Sequence, residues 1–468
     1  MKAMVSGPDQ NTDIGVIDLI GNTPLVRVSN LNSGPCELFL KLESQNPSGS
    51  VKDRIALSMI EAAESSGRLK AGGIIVEATA GNTGLGLALL ATLKGYKIIL
   101  VVPDKMSREK IQHCKALGAD VRITRSDVGI GHPEYYQDMA KRIAAETRGF
   151  YVDQFSNPAN PWAHEEGTGP EIWRQMGERV DAVVCGVGSG GTMTGTGRFF
   201  RKIGSRVEMV LADPEGSILA PLVNTGKTVE PGSWLVEGIG EDFVPPNLDI
   251  TLVKKAYSIS DAESFSTARD LLLREGILAG SSSGTLLAAA LRYCREQKKP
   301  KRVVTFVCDR GDKYLSKAFS DPWLKEQGFE SEKLTRTVRD LVMRRHDTGE
   351  TIFVRPQDNL KTAYKRMRLA DVDQLPVLSG MDEIVGLLDE NSLLSFIEKM
   401  PADQNPGAFP VSAAARKDFV TVKPEESIRS IFPMLAANQA LAVVSKGHFV
   451  GLITKVDLLN YLFMQGNR

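Results

Sequence analysis

The sequence predicts an α/β protein with parallel sheets in its larger part, followed by a tandem pair of small α/β modules. Two observations carry this prediction. From about residue 15 to residue 320, short apolar, β-branched runs alternate with amphipathic helical segments, as in parallel strands joined by right-handed crossovers. Towards its C-terminal end the chain then repeats itself weakly, which indicates two similar units packed as a pair.

The alternating part supplies the first set of predicted elements. Its predicted helices include "DRIALSMIEAAESSG" and "SREKIQHCKALG", which have an apolar face at helical spacing. Ligands of such α/β folds bind at the carboxyl ends of the strands, so we look for the functional loops there. The predicted strands are "GGIIVEA" (72–78), "YKIILVVP" (96–103), "DAVVCGV" (181–187), "VEMVLAD" (207–213) and "KRVVTFVC" (301–308).

The repeat is visible in two stretches, "IFVRPQDNLKTAYKRMRLADVDQLPVL" and "VTVKPEESIRSIFPMLAANQALAVV". Pro356 matches Pro424, 68 residues later, and Gly386 matches Gly451, 65 residues later. Each copy reads as strand, Pro, helix, strand, strand, helix. The charged stretch "ESEKLTRT" reads as a linker and "PADQNPGAFP" as the joint. The predicted boundaries are a large α/β domain at 1–329, a linker at 330–336, a first module at 337–400 and a second at 401–468.

Composition excludes several classes of protein. Lys plus Arg and Asp plus Glu both number 57, so the net charge is zero and a nucleic-acid-binding role is disfavoured. No segment approaches about 18 uninterrupted apolar residues, and the first twenty lack the apolar core of a signal peptide. The five cysteines form no CxxC and do not pair with histidines at zinc-site spacing. We therefore expect reduced thiols, no metal, no membrane span and a cytoplasmic location.

The stretch "CGVGSGGTMTGTG" (185–197) joins a predicted strand to a predicted helix. Glycines let backbone N–H groups approach an anion closely, and a helix N-terminus favours negative charge. A plain tight turn would need fewer glycines. Gly186, Gly188 and Gly191 also satisfy the GxGxxG dinucleotide pattern, with Asp213 about 20 residues later. The residues that would cradle a phosphate are Gly188, Ser189, Gly190, Gly191 and Thr192.

Three further stretches carry candidate chemistry. "EATAGNTGLGLALLA" (77–91) places hydroxyls and an amide where a helix starts, either to bind a carboxylate or to cap the helix. The serines of "EGILAGSSSGTLL" also open a helix and leave the same choice. "NPSGSVKDR" (46–54) leaves room beside Lys52. A lysine usually lies on a solvated face, but burial lowers its pKa and makes its amine nucleophilic.

A lysine, a phosphate loop, a carboxylate loop and a group for a ring nitrogen are the parts that pyridoxal phosphate requires. Residues 15–329 resemble the fold-type II pyridoxal-phosphate enzymes of the β-replacement family, because "NPSGSVKDR", "GNTG", "GVGSGGTMTG" and "AGSSSG" occur in the family's order. The dinucleotide alternative leaves Lys52 and "GNTG" unexplained. The resemblance implies that Lys52 binds the cofactor covalently and is the catalytic base, that Asn82 holds the ring hydroxyl, that residues 188–192 bind the phosphate and that Ser282 faces the ring nitrogen. It assigns the substrate to Thr79, Ala80, Gly81, Asn82, Thr83 and Gly238.

The resemblance also implies a reaction. "DPEGSIL" and "EGIGEDF" favour condensation of L-serine with L-homocysteine to give L-cystathionine and water. "NPANPWAHEEGTGPEIW" is more similar to the sulfhydrylases, which use O-acetylserine and sulfide to make cysteine, and this remains the alternative. Glu165 stands where related enzymes tend to carry a tyrosine, so it is a candidate determinant of the leaving group. The first histidine is His113, and we expect no haem.

The C-terminal repeats resemble a pair of CBS modules. Thr454 and Asp457 in "GLITKVD" fit the family's nucleotide-binding pattern, whereas "GLLDENS" in the first copy does not. We expect at most one site for an adenosyl ligand such as S-adenosylmethionine; the alternative is a pair that only supports structure or dimerisation. A homodimer or higher homo-oligomer is expected. The alternative from another class of protein is a nucleotide sensor in which the paired modules carry the function and the first domain is no longer active.

Overall fold

The computed structural model describes residues 14–79, 81–104, 106–129, 131–329, 336–380, 382–438 and 440–465. The chain divides between Phe319 and Ser320 into two compact units. This division lies ten residues before the predicted end of the catalytic domain at 329. Most of the predicted linker lies outside the described residues, and the predicted boundaries stay predictions.

The first unit contains two sheets. Their strands are β1 (Leu25–Arg27), β2 (Glu37–Lys41), β3 (Ile74–Ala78), β4 (Lys97–Pro103), β5 (Asp120–Thr124), β6 (Phe150–Tyr151), β7 (Ala182–Gly186), β8 (Glu208–Pro214), β9 (Val253–Ile259) and β10 (Arg302–Phe306). The strand order of the six-stranded sheet is β1-β2-β10-β7-β8-β9, in which all neighbours are parallel except β1, which pairs antiparallel with β2 at the edge. The order of the four-stranded sheet is β5-β4-β3-β6, and its pairing is parallel throughout.

Helices alternate with these strands. They are α1 (Lys52–Ser65), α2 (Asn82–Lys94), α3 (Arg108–Ala116), α4 (Tyr136–Thr147), α5 (Ala159–Ala163), α6 (Gly169–Gln175), α7 (Gly191–Lys202), α8 (Leu219–Thr225), α9 (Asp261–Glu275) and α10 (Ser281–Arg295). Short 3₁₀ turns occupy Val16–Leu19, Glu43–Gln45, Ile250–Leu252 and Gly311–Tyr314, and a π-helical turn occupies His164–Thr168. The predicted fold class is confirmed.

All five predicted strands of this unit are strands in the structure: β3, β4, β7, β8 and β10. The two quoted helical segments form α1 and α3. The strand predictions succeed because the apolar runs are buried on both faces of the sheets. In β7, for example, Ala182, Val183, Val184 and Cys185 are each at most 1% exposed. Continuous apolar runs of this kind are typical of parallel strands covered by helices on both sides.

The second unit contains the two modules. Its elements are α11 (Asp321–Glu326), a 3₁₀ turn at Val338–Leu341, α12 (Leu360–Ala370), β11 (Gln374–Ser379), β12 (Glu383–Asp389), α13 (Glu390–Glu398), a 3₁₀ turn at Pro406–Ala408, α14 (Val411–Ala414), β13 (Val420–Val422), a 3₁₀ turn at Ile428–Ile431, α15 (Phe432–Ala437), β14 (Ala440–Ser445), β15 (His448–Thr454) and α16 (Lys455–Gln465). In the first copy the predicted leading strand is reduced to a single bridge between Val354 and Val377.

Each module contributes its first residues to the core of the other module. Val338 and Leu341, at the start of the first module, pack with Val422 and Ile431 of the second. Val411, near the start of the second module, packs in the core of the first. The two modules therefore share their cores. In the part of the chain that the structure describes, no helix is both long enough and apolar enough to cross a membrane.

Candidate active site

The loops at the carboxyl ends of three neighbouring strands meet in one place. Strand β2 leads to the segment that carries Lys52, β10 leads to Cys308 and Asp309, and β7 leads to the glycine-rich loop. The loop after β3, in the other sheet, brings Asn82 to the same place, because Asn82 Nδ2 donates a 2.8 Å hydrogen bond to Asp309 Oδ2. The site lies where an α/β fold is expected to bind its ligand.

The segment before Lys52 is held by backbone contacts. Val51 N donates to Cys308 O (2.8 Å), and Arg310 N donates to Gly49 O (3.1 Å). Gly49 has a φ of +81°, which a residue with a side chain adopts only with strain. Ser48 donates both its N–H and its hydroxyl to the Asp53 carboxylate. The small residues of "NPSGSVKDR" therefore form a fixed turn into α1 with Lys52 at its first position.

The Lys52 side chain is half-buried at the centre of the site. Burial lowers the pKa of its amine, while the negative charges of Asp309 and Glu241 act in the opposite direction. Among the described residues the amine has no hydrogen bond or ion pair. A half-buried, unpartnered amine with a lowered pKa is suited to covalent capture of an aldehyde.

A buried charge network anchors α1 behind Lys52. Arg54 pairs with Glu43 through Nε (2.7 Å) and with Glu171 through Nη1 and Nη2 (2.7 Å each). Lys41 Nζ adds a 2.7 Å contact to Glu171 Oε2. Burial opposes ionisation of Glu171, but Arg54 and Lys41 together hold its pKa at about 2. The four charges balance, so each buried ion has a partner.

The Asn82 amide is bound at both ends. Its Nδ2 donates to Asp309 Oδ2, and its Oδ1 accepts from Lys313 Nζ at 3.2 Å. Lys313 also donates to the carbonyls of Ser48 and Gly49, and Tyr314 Oη donates to Asp309 Oδ2 at 2.6 Å. The segment after β10 thus ties the Asn82 loop to the Lys52 turn and fixes the orientation of the Asn82 amide.

The other residues of the predicted substrate loop surround the start of α2. Gly81 has a φ of +133°, and its N–H donates to Thr79 Oγ1 (3.1 Å). Thr83 Oγ1 donates to Gln154 Oε1 at 2.7 Å, so its hydroxyl is engaged within the protein. Ala80 lies outside the described residues. The loop presents backbone N–H groups at the N-terminus of a 13-residue helix, which suits a carboxylate.

The glycine-rich loop after β7 is packed so closely that side chains would not fit. Gly190 has a φ of +84°, and a Cβ on Gly191 would overlap Asn160 Oδ1. Asn160 Nδ2 donates to Ser189 Oγ (2.9 Å). The loop ends at the N-terminus of the 12-residue α7, with the Thr192 hydroxyl on its first turn. Backbone donors, two hydroxyls and a helix N-terminus suit a phosphate.

His164 contacts the glycine-rich loop through Thr192. Its Nε2 lies 3.2 Å from Thr192 Oγ1 and its Nδ1 lies 2.9 Å from Thr168 Oγ1. Burial lowers the pKa of His164 to about 3, so the ring is neutral and one nitrogen donates while the other accepts. By contrast, Glu165 is half-buried on the same π-helical turn, with its backbone N against Gly195 in α7. The acidic residues whose charges raise the pKa of Lys52 are Asp309 and then Glu241.

The two remaining predicted residues border the same space. The Gly238 carbonyl lies where a Cβ on Gly188 would approach to 2.6 Å, so this loop covers the glycine-rich loop. Ser281 Oγ accepts from Glu237 N (3.2 Å). Ser283 Oγ accepts from Cys308 N (2.9 Å), which joins the start of α10 to the segment after β10. Ser282 lies between these two serines on the first turn of α10 and is buried.

Sequence reasoning did not single out Cys308, Asp309, Lys313 or His164. A usable signal was present for the first three, because Cys308 ends the predicted strand "KRVVTFVC" and "DRGDK" directly follows it at its carboxyl end. For His164 the sequence offers no comparable signal, since its contact with Thr192 depends on how α5 and α7 pack. No cluster of three or more His, Cys, Asp or Glu within the described residues could hold a metal ion.

The residues present fit pyridoxal phosphate. An unpartnered, half-buried lysine, an anion cradle at a helix N-terminus and the serine-rich start of α10 meet in one space bordered by Asn82. The fold and this site define a pyridoxal-phosphate dependent enzyme. The family model "Pyridoxal-phosphate dependent enzyme" matches residues 16–309, and the "CBS domain" model matches residues 338–399 and 411–464.

The curated relatives place the chain more closely. It is 37% identical over 466 residues to cystathionine beta-synthase of Dictyostelium discoideum, covering 96% of this chain and 92% of that one. It is 41% identical to cysteine synthase 1 of Neurospora crassa over 320 residues, covering 67% of this chain and 85% of that one. The crystal structure of a hydrogen sulfide-producing enzyme of Fusobacterium nucleatum is similar, with a TM-score of 0.60 and 37% identity, covering 64% of this chain and 99% of that one. The chain belongs to the cystathionine β-synthase family of pyridoxal-phosphate dependent enzymes and carries C-terminal CBS domains.

The candidate nucleotide residues of the second module are also adjacent. Thr454 Oγ1 and N both donate to Asp457 Oδ2 at 2.7 Å, at the start of α16. The first copy exchanges the two residue types: Asp389 stands at the position of Thr454 and Ser392 at that of Asp457, and Asp389 pairs with Arg416 (2.8 Å). This pairing occupies the Asp389 carboxylate, which distinguishes the two copies.

Proposed function

We propose that this protein condenses L-serine with L-homocysteine to give L-cystathionine and water, with pyridoxal phosphate bound at Lys52. The observation that carries the proposal is the half-buried, unpartnered Lys52 amine between the Asn82 loop and the glycine-rich loop. It is supported by the similarity to cystathionine beta-synthases over nearly the whole chain.

Lys52 has two roles in the proposed reaction. Bound pyridoxal phosphate supplies an electron sink for the α-carbon of the substrate. Lys52 holds the cofactor, and its amine, once displaced by the substrate, removes the Cα proton as general base. The lowered pKa keeps that amine neutral at a lower pH than for a solvated lysine. Lys52 then returns the proton to the product.

The loops position the reactants. Asn82 directs an amide hydrogen to the ring hydroxyl, because Asp309 and Lys313 fix the amide. The loop from Thr79 to Thr83, with Gly238 opposite, binds the substrate carboxylate through backbone donors. Gly188, Ser189, Gly190, Gly191 and Thr192 hold the phosphate.

Ser282 contributes to the choice of reaction. Its neutral hydroxyl faces the ring nitrogen and, unlike a carboxylate, does not keep that nitrogen protonated. The negative charge that develops at Cα is then less delocalised, which favours loss of the β-substituent over transamination.

A second candidate is the use of O-acetylserine and sulfide to make cysteine. It is favoured by the 41% identity over 320 residues to a cysteine synthase. Comparing serine plus homocysteine with O-acetylserine plus sulfide separates the two reactions. The rate with the first pair should exceed that with the second.

We further propose that the paired modules bind one adenosyl ligand, such as S-adenosylmethionine, at Thr454 and Asp457, and that the protein works in the cytoplasm as a homodimer or higher homo-oligomer. The five cysteines are unpaired in the structure, which suits a reducing compartment. Calorimetry with adenine nucleotides and S-adenosylmethionine, combined with activity assays, tests the ligand; light scattering tests the assembly.

The cofactor assignment has its own test. The purified protein should be yellow, and Lys52→Ala should lose the visible absorption band of lysine-bound cofactor. A colourless and fully active wild-type protein would exclude the assignment.

A further inference from the structure

Glu77 is a buried acid near the end of strand β3, two residues before the loop that the proposed function assigns to the substrate carboxylate. Its side chain is only 1% exposed. Its Oε2 accepts from Asp153 N (2.9 Å), and its Oε1 accepts from Gln154 N (3.3 Å). Both oxygens of the carboxyl group therefore bind consecutive backbone N–H groups of the segment that follows β6.

The segment that Glu77 holds has an uncommon backbone conformation. Asp153 has a φ of +53°, in the left-handed region that residues with a side chain seldom adopt. Turns of this kind direct successive N–H groups at one acidic group. Burial raises the pKa of Glu77 to about 8, against the two backbone donors, which lower it. In either protonation state each carboxyl oxygen keeps a lone pair, so both N–H groups keep an acceptor.

Gln154 connects the substrate loop to the glycine-rich loop. Its Oε1 accepts from Thr83 Oγ1 (2.7 Å) and its Nε2 donates to Ala78 O (3.2 Å), so the side chain holds the substrate loop on both sides. Its carbonyl accepts from Asn160 Nδ2 (2.7 Å), which also donates to Ser189 Oγ (2.9 Å). A displacement of the Gln154 backbone therefore acts directly on the substrate loop and, through one further side chain, on the glycine-rich loop.

We propose that Glu77 is a positioning residue for the amino-acid substrate. By holding the N–H groups of Asp153 and Gln154, it places the Gln154 side chain where it fixes the Thr83 hydroxyl, and with it the loop that binds the substrate carboxylate. The inference rests on the assignment of this loop in the proposed function. Glu77 acts through Gln154 and is not itself a catalytic residue.

The test begins with Glu77→Gln. The amide has the same shape, but its nitrogen has no lone pair that accepts, so one of the two N–H groups loses its acceptor. Hydrogen exchange, measured by mass spectrometry in the purified protein, should become faster at the amides of residues 153–154. The concentration of L-serine that gives half of its effect on the absorption of the loaded protein should rise at least about fivefold, the effect of one lost hydrogen bond.

Two further readouts separate positioning from a general loosening of the fold. In steady-state assays Glu77→Gln should raise KM for serine and change kcat much less. The dissociation constant of pyridoxal phosphate should rise by a smaller factor than the half-saturating concentration of serine, because the glycine-rich loop is reached only through Asn160.

A double-variant comparison tests the path through Thr83. If Glu77 acts on the substrate through Gln154 and Thr83, Glu77→Gln adds little to the half-saturating concentration of serine once Thr83→Val has removed the hydroxyl. Glu275→Gln is the matched control and should leave serine binding unchanged. Glu275 also accepts from consecutive backbone N–H groups, but outside the site, those of Ser29, Asn30 and Leu31.

Unchanged exchange at residues 153–154 in Glu77→Gln, equal losses of serine and cofactor binding, or effects that add fully to those of Thr83→Val would each overturn the inference. Failure of the proposed function looks different. If the loaded wild-type protein responds to L-serine but forms no cystathionine, the reaction is wrong, and the comparison of serine binding still decides the role of Glu77.

Discussion

Asn82 and Asp309 join the two sheets of the first unit through a single 2.8 Å hydrogen bond from Asn82 Nδ2 to Asp309 Oδ2. Asn82 is the first residue of α2, which follows strand β3 of the four-stranded sheet, and Asp309 follows strand β10 of the six-stranded sheet. Lys313 fixes the other end of the amide. The orientation of a residue assigned to the cofactor ring is thus set by residues more than 200 positions away in sequence.

Replacing Asp309 by Asn should weaken cofactor binding. The charge that holds Asn82 Nδ2 and Tyr314 Oη would be lost, and a hydrogen bond to a charged group contributes about 1.5–3 kcal/mol. We expect the dissociation constant of pyridoxal phosphate to rise at least about tenfold. Asp312→Asn, an exposed aspartate in the same segment, is the control and should bind normally. Wild-type affinity in Asp309→Asn would refute the role of this contact.

Arg54→Leu should destabilise the fold strongly. It leaves the carboxylates of Glu43 and Glu171 buried without their main partner, and breaking a buried ion pair costs about 3–5 kcal/mol. The measurement is the free energy of unfolding in urea. The control is Arg122→Leu, which breaks an exposed pair with Asp120 and should leave stability almost unchanged. A loss in Arg54→Leu no larger than in the control would show that the network is dispensable.

Capture of the cofactor should depend on pH through the Lys52 amine. Only the neutral amine reacts, and its fraction increases as pH rises through its pKa. Since burial lowers that pKa, the rate of capture by apoprotein should reach half its maximum below the ordinary value of 10.5. Glu241→Gln removes a negative charge that raises the pKa, so its midpoint should move lower still. A midpoint that moves upward in this variant would contradict the placement of Glu241 beside Lys52.

Gly191→Ala should disable the phosphate cradle. Its Cβ would overlap Asn160 Oδ1, so either Asn160 or the first turn of α7 must move. We expect loss of cofactor binding that exceeds the loss of thermal stability. Gly129→Ala is the control, because no heavy atom lies within 4 Å of its Cβ position. Normal cofactor binding by Gly191→Ala would mean that the loop is not the phosphate site.

Asp457→Asn should reduce binding of an adenosyl ligand, whereas Asp389→Asn should not. The Asp457 carboxylate lies at the start of α16 and accepts from Thr454, whereas Asp389 is paired with Arg416. Isothermal calorimetry with S-adenosylmethionine measures both variants. Equal losses in the two would point to a site shared by the copies rather than to one competent site.

The sequence was sufficient for the five strands and two helices quoted from the first unit, and it singled out the candidate cofactor loops, but it did not reveal the residues that support these loops. Apolar runs such as "DAVVCGV" predict their strands directly, because burial on both faces leaves a continuous local signal. The bond from Asn82 to Asp309 leaves no such signal, since it depends on how two sheets meet. The exchange of segments between the modules, in which Val338 packs with Val422, is hidden for the same reason.

Glu165 differs from related enzymes at a position next to His164, and its influence on the leaving group stays a prediction. On the π-helical turn its backbone N lies against Gly195 of α7. The carboxylates whose charges raise the pKa of Lys52 are those of Asp309 and of Glu241, the latter in the "EGIGEDF" stretch. Which residue of a turn faces a site depends on tertiary packing, and periodicity does not reveal it.

The most direct test of the account is the product formed by the purified, pyridoxal-phosphate-loaded protein from L-serine and L-homocysteine. We expect L-cystathionine, identified by mass spectrometry, at a rate well above that of cysteine formation from O-acetylserine and sulfide, and none of either product from Lys52→Ala. Rapid cysteine formation without cystathionine would contradict the proposed reaction, and cystathionine formation by Lys52→Ala at the wild-type rate would contradict the role of the lysine.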